Sequence, residues 1–269
     1  MELASPQTFA AAAEQPSSAA ARPGGRLPLL DELRGLMIVN VVAYHTLYDL
    51  VYLFGVGIPW FHTLGAYFWQ QWMSGSLIFL AGVSCRFSRS NARRGLRVLG
   101  LGMALSLGTW LAMPGQFIAF GILHFMGSAM LLFALLRPRL DKVPRRAGLW
   151  VCLALFVLTK GIYYGRVGIP YLLELDLPRW LYSTPFLFPL GLPGEEFLSA
   201  DYFPLLPWLF LFLAGSFEGV KARAGQVPEF CRRPHLPALG LAGRHTMAIY
   251  LAHQPLIFAF LFVLFRIIM

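Results

Sequence analysis

The sequence predicts an all-α fold: a polytopic transmembrane helix bundle of about seven spans, N-terminus cytoplasmic and C-terminus outside. Three observations predict it. Of the 269 residues, 57% are hydrophobic and only 13% charged, whereas soluble domains run near 25% charged. Apolar runs near the ~20 residues that cross the hydrocarbon core fall at 33–54, 67–87, 96–113, 117–136, 148–165, 203–220 and 245–267. Finally, the N-terminal tail and the loops near 86–97, 137–146 and 221–244 hold 18 of the 22 Lys and Arg. The positive-inside rule puts those segments in the cytoplasm. The net charge of +9 therefore reads as an orientation signal and not as a nucleic-acid footprint.

Taken in order, residues 1–29 are rich in Ala, Pro and Ser. They lack a basic segment followed by an apolar core, so they read as a disordered cytoplasmic tail and not as a signal peptide. Residues 30–269 form a single transmembrane domain. The first span opens on Asp31, Glu32 and Arg34 and carries His45 and Asp49 mid-run. An ionisable group at mid-bilayer costs roughly 2.5–3.5 kcal/mol and usually faces a protein interior or a wet cavity. His45 and Asp49 are i,i+4 and share a helix face. Arg34 lies close to three turns earlier on the same stripe, roughly 16 Å away. Asp31 and Glu32 also suit a helix N-terminus.

Gln70 and Gln71 open the second span on the outer side. The third and fifth spans are short. The fourth carries His124, expected at the depth of His45, roughly 18–20 Å from the cytoplasmic face. The Pro-broken segment 181–192 reads as interfacial or re-entrant. The outer connection 166–202 bears Glu174, Asp176, Glu195, Glu196 and Asp201, and an external acceptor would be shaped largely by it. Asp201 caps the start of the sixth span. His253 lies about two turns into the seventh, nearer the cytoplasm. Trp60, Trp69, Trp72, Trp180 and Trp208 read as interfacial-belt residues. Cys85, Cys152 and Cys231 have no metal or redox spacing.

A histidine beside a carboxylate on one face suits a general base, because the carboxylate orients the imidazole and raises its basicity. Other uses stand beside this one. A lone membrane histidine serves as a helix–helix hydrogen-bond partner, and His and Asp on several spans suit the proton relay of a transporter. No internal repeat of the kind many transporters show favours the relay. A non-catalytic scaffold is the plainest alternative. No metal is predicted, since no H-x-x-x-H or H-E-x-x-H spacing supports one. Arg86, Arg89 and Arg93 read first as topology signals and second as phosphate contacts. His62, His235 and His245 lie in loops or at a boundary.

The segments LDELRGLMIVNVVAYHTLYDL, FLAGVS, FGILHFMG, SADYFPLLPW and RHTMAIYLAHQP occur in that order over most of residues 27–267. Together they resemble the bacterial branch of the heparan-alpha-glucosaminide N-acetyltransferase catalytic-domain family. Arg34, ten residues and then His45 also resembles the Arg–His motif of bacterial membrane acyltransferases that O-acetylate cell-surface sugars. The resemblance implies an acyltransferase of the bacterial inner membrane. It would move an acetyl or acyl group from cytoplasmic acyl-CoA to a sugar or glycan acceptor of the cell envelope. Arg34 with Arg86, Arg89 or Arg93 would hold the CoA phosphates, His253 would line the donor path, and Asp49 would orient His45. His124 would assist at the acceptor side, with Asp201, Trp208, Gln71 and His62 facing the acceptor. His62 is the nearest counterpart of the family histidine that follows the first span, so the resemblance leaves His45 and His62 both open as the reacting group. The expected partners are the lipid bilayer, acyl-CoA, the acceptor and a second copy of the chain as a homodimer, with no nucleic acid.

Overall fold

A computed structural model describes residues 26–170 and 172–268. Most of the tail expected at 1–29 lies outside these residues. The fold is mostly helical: α1 Pro28–Tyr48, α2 Leu64–Cys85, α3 Asn91–Ala112, α4 Ile122–Leu140, α5 Arg145–Leu158, α6 Leu205–Arg223, α7 Pro237–Arg244 and α8 Thr246–Ile268. It is not purely so. The connection between α5 and α6 holds an antiparallel hairpin, β1 Arg166–Ile169 with β2 Leu173–Asp176, followed by short 3₁₀ turns that include the segment expected to be re-entrant.

Among the described residues, five helical segments are long and apolar enough to cross a membrane: Pro28–Leu53, Asn91–Ala112, Arg145–Tyr164, Leu205–Arg223 and Thr246–Ile267. The expectation of seven included α2 and α4, which do not reach that mark. The reason is their position. α2 packs along α6 and α1, and α4 along α3 and α6, so neither has to present apolar side chains all round. α2 can carry Gln70, Gln71 and Ser74, and α4 ends on Arg137, Pro138 and Arg139. The outer helices show the opposite pattern, with Trp110, Trp150, Leu256 and Phe260 exposed. Such surface needs a lipid solvent.

The core has two parts. One gathers Phe125, Phe133, Phe212, Phe217 and Trp208 from α4 and α6, with Ile78 of α2 and Cys152 of α5. The other gathers Met37, Ile38 and Val41 of α1 with Met73, Leu77 and Leu80 of α2. Helix contacts between the two are close where side chains are small. A Cβ at Gly82 would strike the Phe212 carbonyl, and one at Gly215 the Phe79 carbonyl, so the α2 and α6 backbones nearly touch.

The α7 helix fills part of the loop expected at 221–244 and lies against α1. The buried Glu32 holds it there, accepting from the backbone N–H of His235 (2.7 Å) and Leu236 (3.0 Å) just before α7 begins. Glu32 therefore secures a neighbouring helix, and Asp31 alone pairs locally, with Arg26 (2.6 Å) and Arg34 (3.2 Å).

Candidate functional site

At the seam between the two core clusters lies a cavity of about 230 Å³. Its lining comes from six helices, α1, α2, α3, α4, the end of α7 and α8. At one end stand three arginines: Arg34, Arg94 and Arg244. Arg34 is fixed by Asp31 and by donation to Ser84 Oγ, and Arg244 by its donation to the Gly240 carbonyl (3.2 Å). Arg94 has no ion-pair partner among the described residues. The remaining walls are apolar, including Ile38, Leu77, Leu123 and Met126. Along α4 the lining runs from Met130 to Ile122, about 12 Å at 1.5 Å per residue. The last lining residue on α8 is Tyr250.

One turn beyond Tyr250, His253 is buried, and its ring meets that of His45 at 4.9 Å between centroids. His253 Nδ1 lies 2.6 Å from the Tyr250 carbonyl. A carbonyl only accepts, so Nδ1 carries the proton, and in the neutral ring Nε2 carries the lone pair. That Nε2 is buried without a partner among the described residues. Further along the same two helices, Asp49 is fully buried and accepts from Gln254 Nε2 at 2.7 Å. Asp49 Oδ2 and Gln254 Oε1 both lack donors among the described residues. Buried polar atoms rarely go unpaired, and here three acceptor-type atoms cluster where α1 meets α8. Asp49 also starts a π-helical turn, with the Phe54 N–H bonding back to the Asp49 carbonyl at 3.0 Å. Such turns recur at functional sites.

The structure thus brings Arg34, His45, Asp49 and His253 onto one side of the bundle, in a different arrangement from the expected one. Asp49 bonds Gln254 and not His45, and the ring beside His45 is His253 and not His124. His124 sits in the first turn of α4, where Nδ1 accepts from the Gly121 N–H (3.2 Å) and Nε2 faces Ser106 Oγ (3.2 Å). It caps the start of a helix instead of lying about seven residues into the span, because residues 117–121 precede the helix and α4 begins only at Ile122.

Asp201 caps the same helix, accepting from the Ile122 N–H at 2.9 Å. Burial pushes its carboxyl up to about 6, against the pull of that N–H. Trp208 is a core residue packed on Phe203 and Phe156, with Lys160 Nζ 4.1 Å above its ring. Gln71 accepts from that same Lys160. His62 is exposed at the far end, 3.5 Å from Tyr52 Oη, a distance at which little hydrogen bonding remains.

Of the arginines expected with Arg34, Arg86 is buried, pairs with Asp141 and donates to the Ser216 carbonyl (2.9 Å). Arg89 and Arg93 are exposed, and none of the three lines the cavity. Arg94 and Arg244 take their place. The signal for Arg94 was present: Asn91, Gly95, Val98 and Gly102 mark the buried face of α3, and Arg94 flanks it where Arg93 and Arg97 point away. Among the described residues no group of three or more His, Cys, Asp or Glu could hold a metal.

No curated protein and no solved structure matches the chain. Residues 26–255 match the family described as heparan-alpha-glucosaminide N-acetyltransferase, catalytic. That range takes in α1 to α7 and the part of α8 bearing His253 and Gln254. The chain belongs to the heparan-alpha-glucosaminide N-acetyltransferase catalytic-domain family.

Proposed function

We propose that the chain is a membrane acyltransferase that draws on acyl-CoA at its arginine-rich end and delivers the acyl group to a sugar hydroxyl or amine at the opposite end. The observation that carries this reading is the apolar cavity with three arginines at one end, stopping one turn short of the His45–His253 pair. Acyl-CoA would supply an activated thioester. Arg34, Arg94 and Arg244 match its phosphates, since guanidinium forks bind phosphate oxygens in pairs. The apolar walls suit the uncharged arm and keep water from the thioester. His253 takes the acceptor's proton at Nε2 as the acceptor atom bonds the acyl carbon and the C–S bond of the thioester breaks, and that proton then passes to the departing CoA thiolate. Tyr250 holds the other ring nitrogen of His253, and the ring of His45 fixes its tilt. Asp49 Oδ2 and Gln254 Oε1 accept hydrogen bonds from the acceptor's hydroxyl or amine groups.

The same reading sets the chain in a bacterial inner membrane with seven crossings. Its arginine-rich end and N-terminus face the cytoplasm, and the β1–β2 connection faces outward. The acceptor class rests on the family alone.

The test uses the purified full chain in detergent. Calorimetry should show saturable acetyl-CoA binding, weakened about 10- to 100-fold in R34Q/R94Q, the loss of one or two charge-assisted hydrogen bonds. H253A should bind acetyl-CoA as the parent does yet lose transfer and thioester hydrolysis. Absence of saturable binding by the folded parent rejects the reading, and an R34Q/R94Q variant that binds like the parent rejects this cavity as the donor site.

A further inference from the structure

A second cavity, of about 470 Å³, lies at the same arginine-rich end but between other elements: the end of α2, the α4–α5 turn and the end of α6. It shares no lining residue with the first. Four arginines line it, Arg86, Arg137, Arg145 and Arg223. Two carboxylates answer them. Asp141 pairs with Arg86 and Arg137, and Glu218 with Arg145. Among the described residues Arg223 donates only to the backbone carbonyl of Arg86, at 2.9 Å. An excess of two positive charges remains.

Arg86 supplies a second, independent observation. Its side chain is 4% exposed. Two of its three side-chain nitrogens are engaged: Nε donates to the Ser216 carbonyl and Nη1 to Asp141, while the guanidinium rests over the Phe133 ring at 5.0 Å. Nη2 is buried and has no partner among the described residues. A buried guanidinium N–H without an acceptor is costly, and because Arg86 lines the cavity, an oxyanion seated there would supply one once the guanidinium turns toward it.

We infer that this cavity is a phosphate-monoester site, taking a dianionic phosphate between Arg86, Arg137 and Arg223. A phosphomonoester carries about −1.5 to −2 charges near neutrality, which matches the excess of two. Arginine forks fit its tetrahedral oxygens better than lysine would. The volume holds more than a bare phosphate and lies within the range of small-ligand pockets, about 300–1,000 Å³. Two sources share this chemistry. One is the headgroup of a monoester lipid such as phosphatidic acid, reaching in from the adjacent leaflet. The other is a soluble phosphomonoester. The site is separate from the proposed acyl-CoA cavity and does not depend on that reading.

The experiment uses the full chain purified in detergent, with R137Q/R223Q as the charge-removing variant. V220W is the second variant, filling the cavity from α6 without touching an ion pair. Thermal unfolding is followed against inorganic phosphate, with sulfate and chloride at matched ionic strength as controls. Native mass spectrometry follows phosphatidic acid and phosphatidylcholine added to the same preparations. The expected result is a phosphate-dependent rise in melting temperature, or selective retention of phosphatidic acid, with the midpoint concentration raised at least about tenfold in both variants. Effects from inorganic phosphate alone assign a soluble ligand, and phosphatidic acid alone assigns the lipid headgroup. If the parent shows neither effect, or if both variants keep them, the site is overturned. R34Q/R94Q, which alters only the first cavity, should keep the response. If R34Q/R94Q loses the response while the two second-cavity variants keep it, the anion belongs to the first cavity.

Discussion

His253 and Asp201 show how one residue type takes its role from what lies opposite it. His253 has a carbonyl on one ring nitrogen and, among the described residues, no partner on the other, which leaves a lone pair free for a proton. Asp201 is the reverse case. Its carboxylate is committed to the Ile122 N–H at the start of α4, and burial raises it to about 6 from an ordinary 3.8. The linkage sign follows. A carboxyl whose folded-state value is raised binds its proton more tightly when folded, so its contribution is present below about 4 and lost as pH rises through about 6. The chain should therefore melt at a higher temperature at pH 5 than at pH 7, as far as this group decides. D201N keeps an oxygen acceptor for Ile122 and removes the titration, so it should flatten that difference. Thermal unfolding of parent and D201N at both values checks it, and an unchanged pH slope in D201N would remove Asp201 from the account.

His45 and Asp49 were legible in the sequence because ionisable groups stand out in an apolar run. Their partners were not. Spacing of i,i+4 fixes a shared face but says nothing of which helix lies across it, and α8 supplied both His253 and Gln254.

At the level of elements, the arginine cavity depends on a helix that hydropathy reads only as a loop. The α7 helix carries Gly243 and Arg244 to the cavity, and Glu32 fixes the chain where α7 begins. Replacing Glu32 by Ala leaves two backbone N–H groups without their acceptor. That should destabilise the fold by about 1–3 kcal/mol and also weaken acetyl-CoA binding, since Arg244 loses its anchor. Denaturant titration and calorimetry on E32A check the two effects. A variant that loses stability but binds acetyl-CoA like the parent would show that α7 does not position the donor. The sequence marked Glu32 as a helix-start acid, because nothing local distinguishes capping one's own helix from holding a segment some 200 residues away. The fourth span shifted for a similar reason. Residues 117–121 are as apolar as a helix, but the Phe203 N–H bonds the Phe120 carbonyl at 3.0 Å and the Ala200 N–H the Phe117 carbonyl at 2.9 Å, so pairing with the 199–203 segment holds them extended.

For the whole molecule, the contacts at the two ends bear on how many helices cross. Arg34 near the start of α1 donates to Ser84 near the end of α2. Asn91 at the start of α3 donates to the Cys85 carbonyl (2.9 Å). If α1 and α3 cross, the chain between them must return to its starting side, and α2 is the element that returns it. The same holds for α4. Arg86 at the end of α2 meets Asp141 at the end of α4, and Arg145 at the start of α5 meets Glu218 near the end of α6. If the five apolar helices cross, contacts of this kind return the chain through α2 and α4, and the proposed seven crossings rest on that condition. Cysteine labelling tests it. In a C231S background Cys85 and Cys152 remain buried, and single cysteines are placed at the exposed positions Arg89, Leu198 and Arg266. In intact cells an impermeant maleimide should label L198C and R266C but not R89C, and permeabilisation should expose R89C. Labelling of R89C alone would invert the orientation and put the arginine cavity outside, away from cytoplasmic acyl-CoA. Labelling of R89C together with L198C would mean that α3 and α6 do not start from opposite sides, and the seven-crossing path would fail with it.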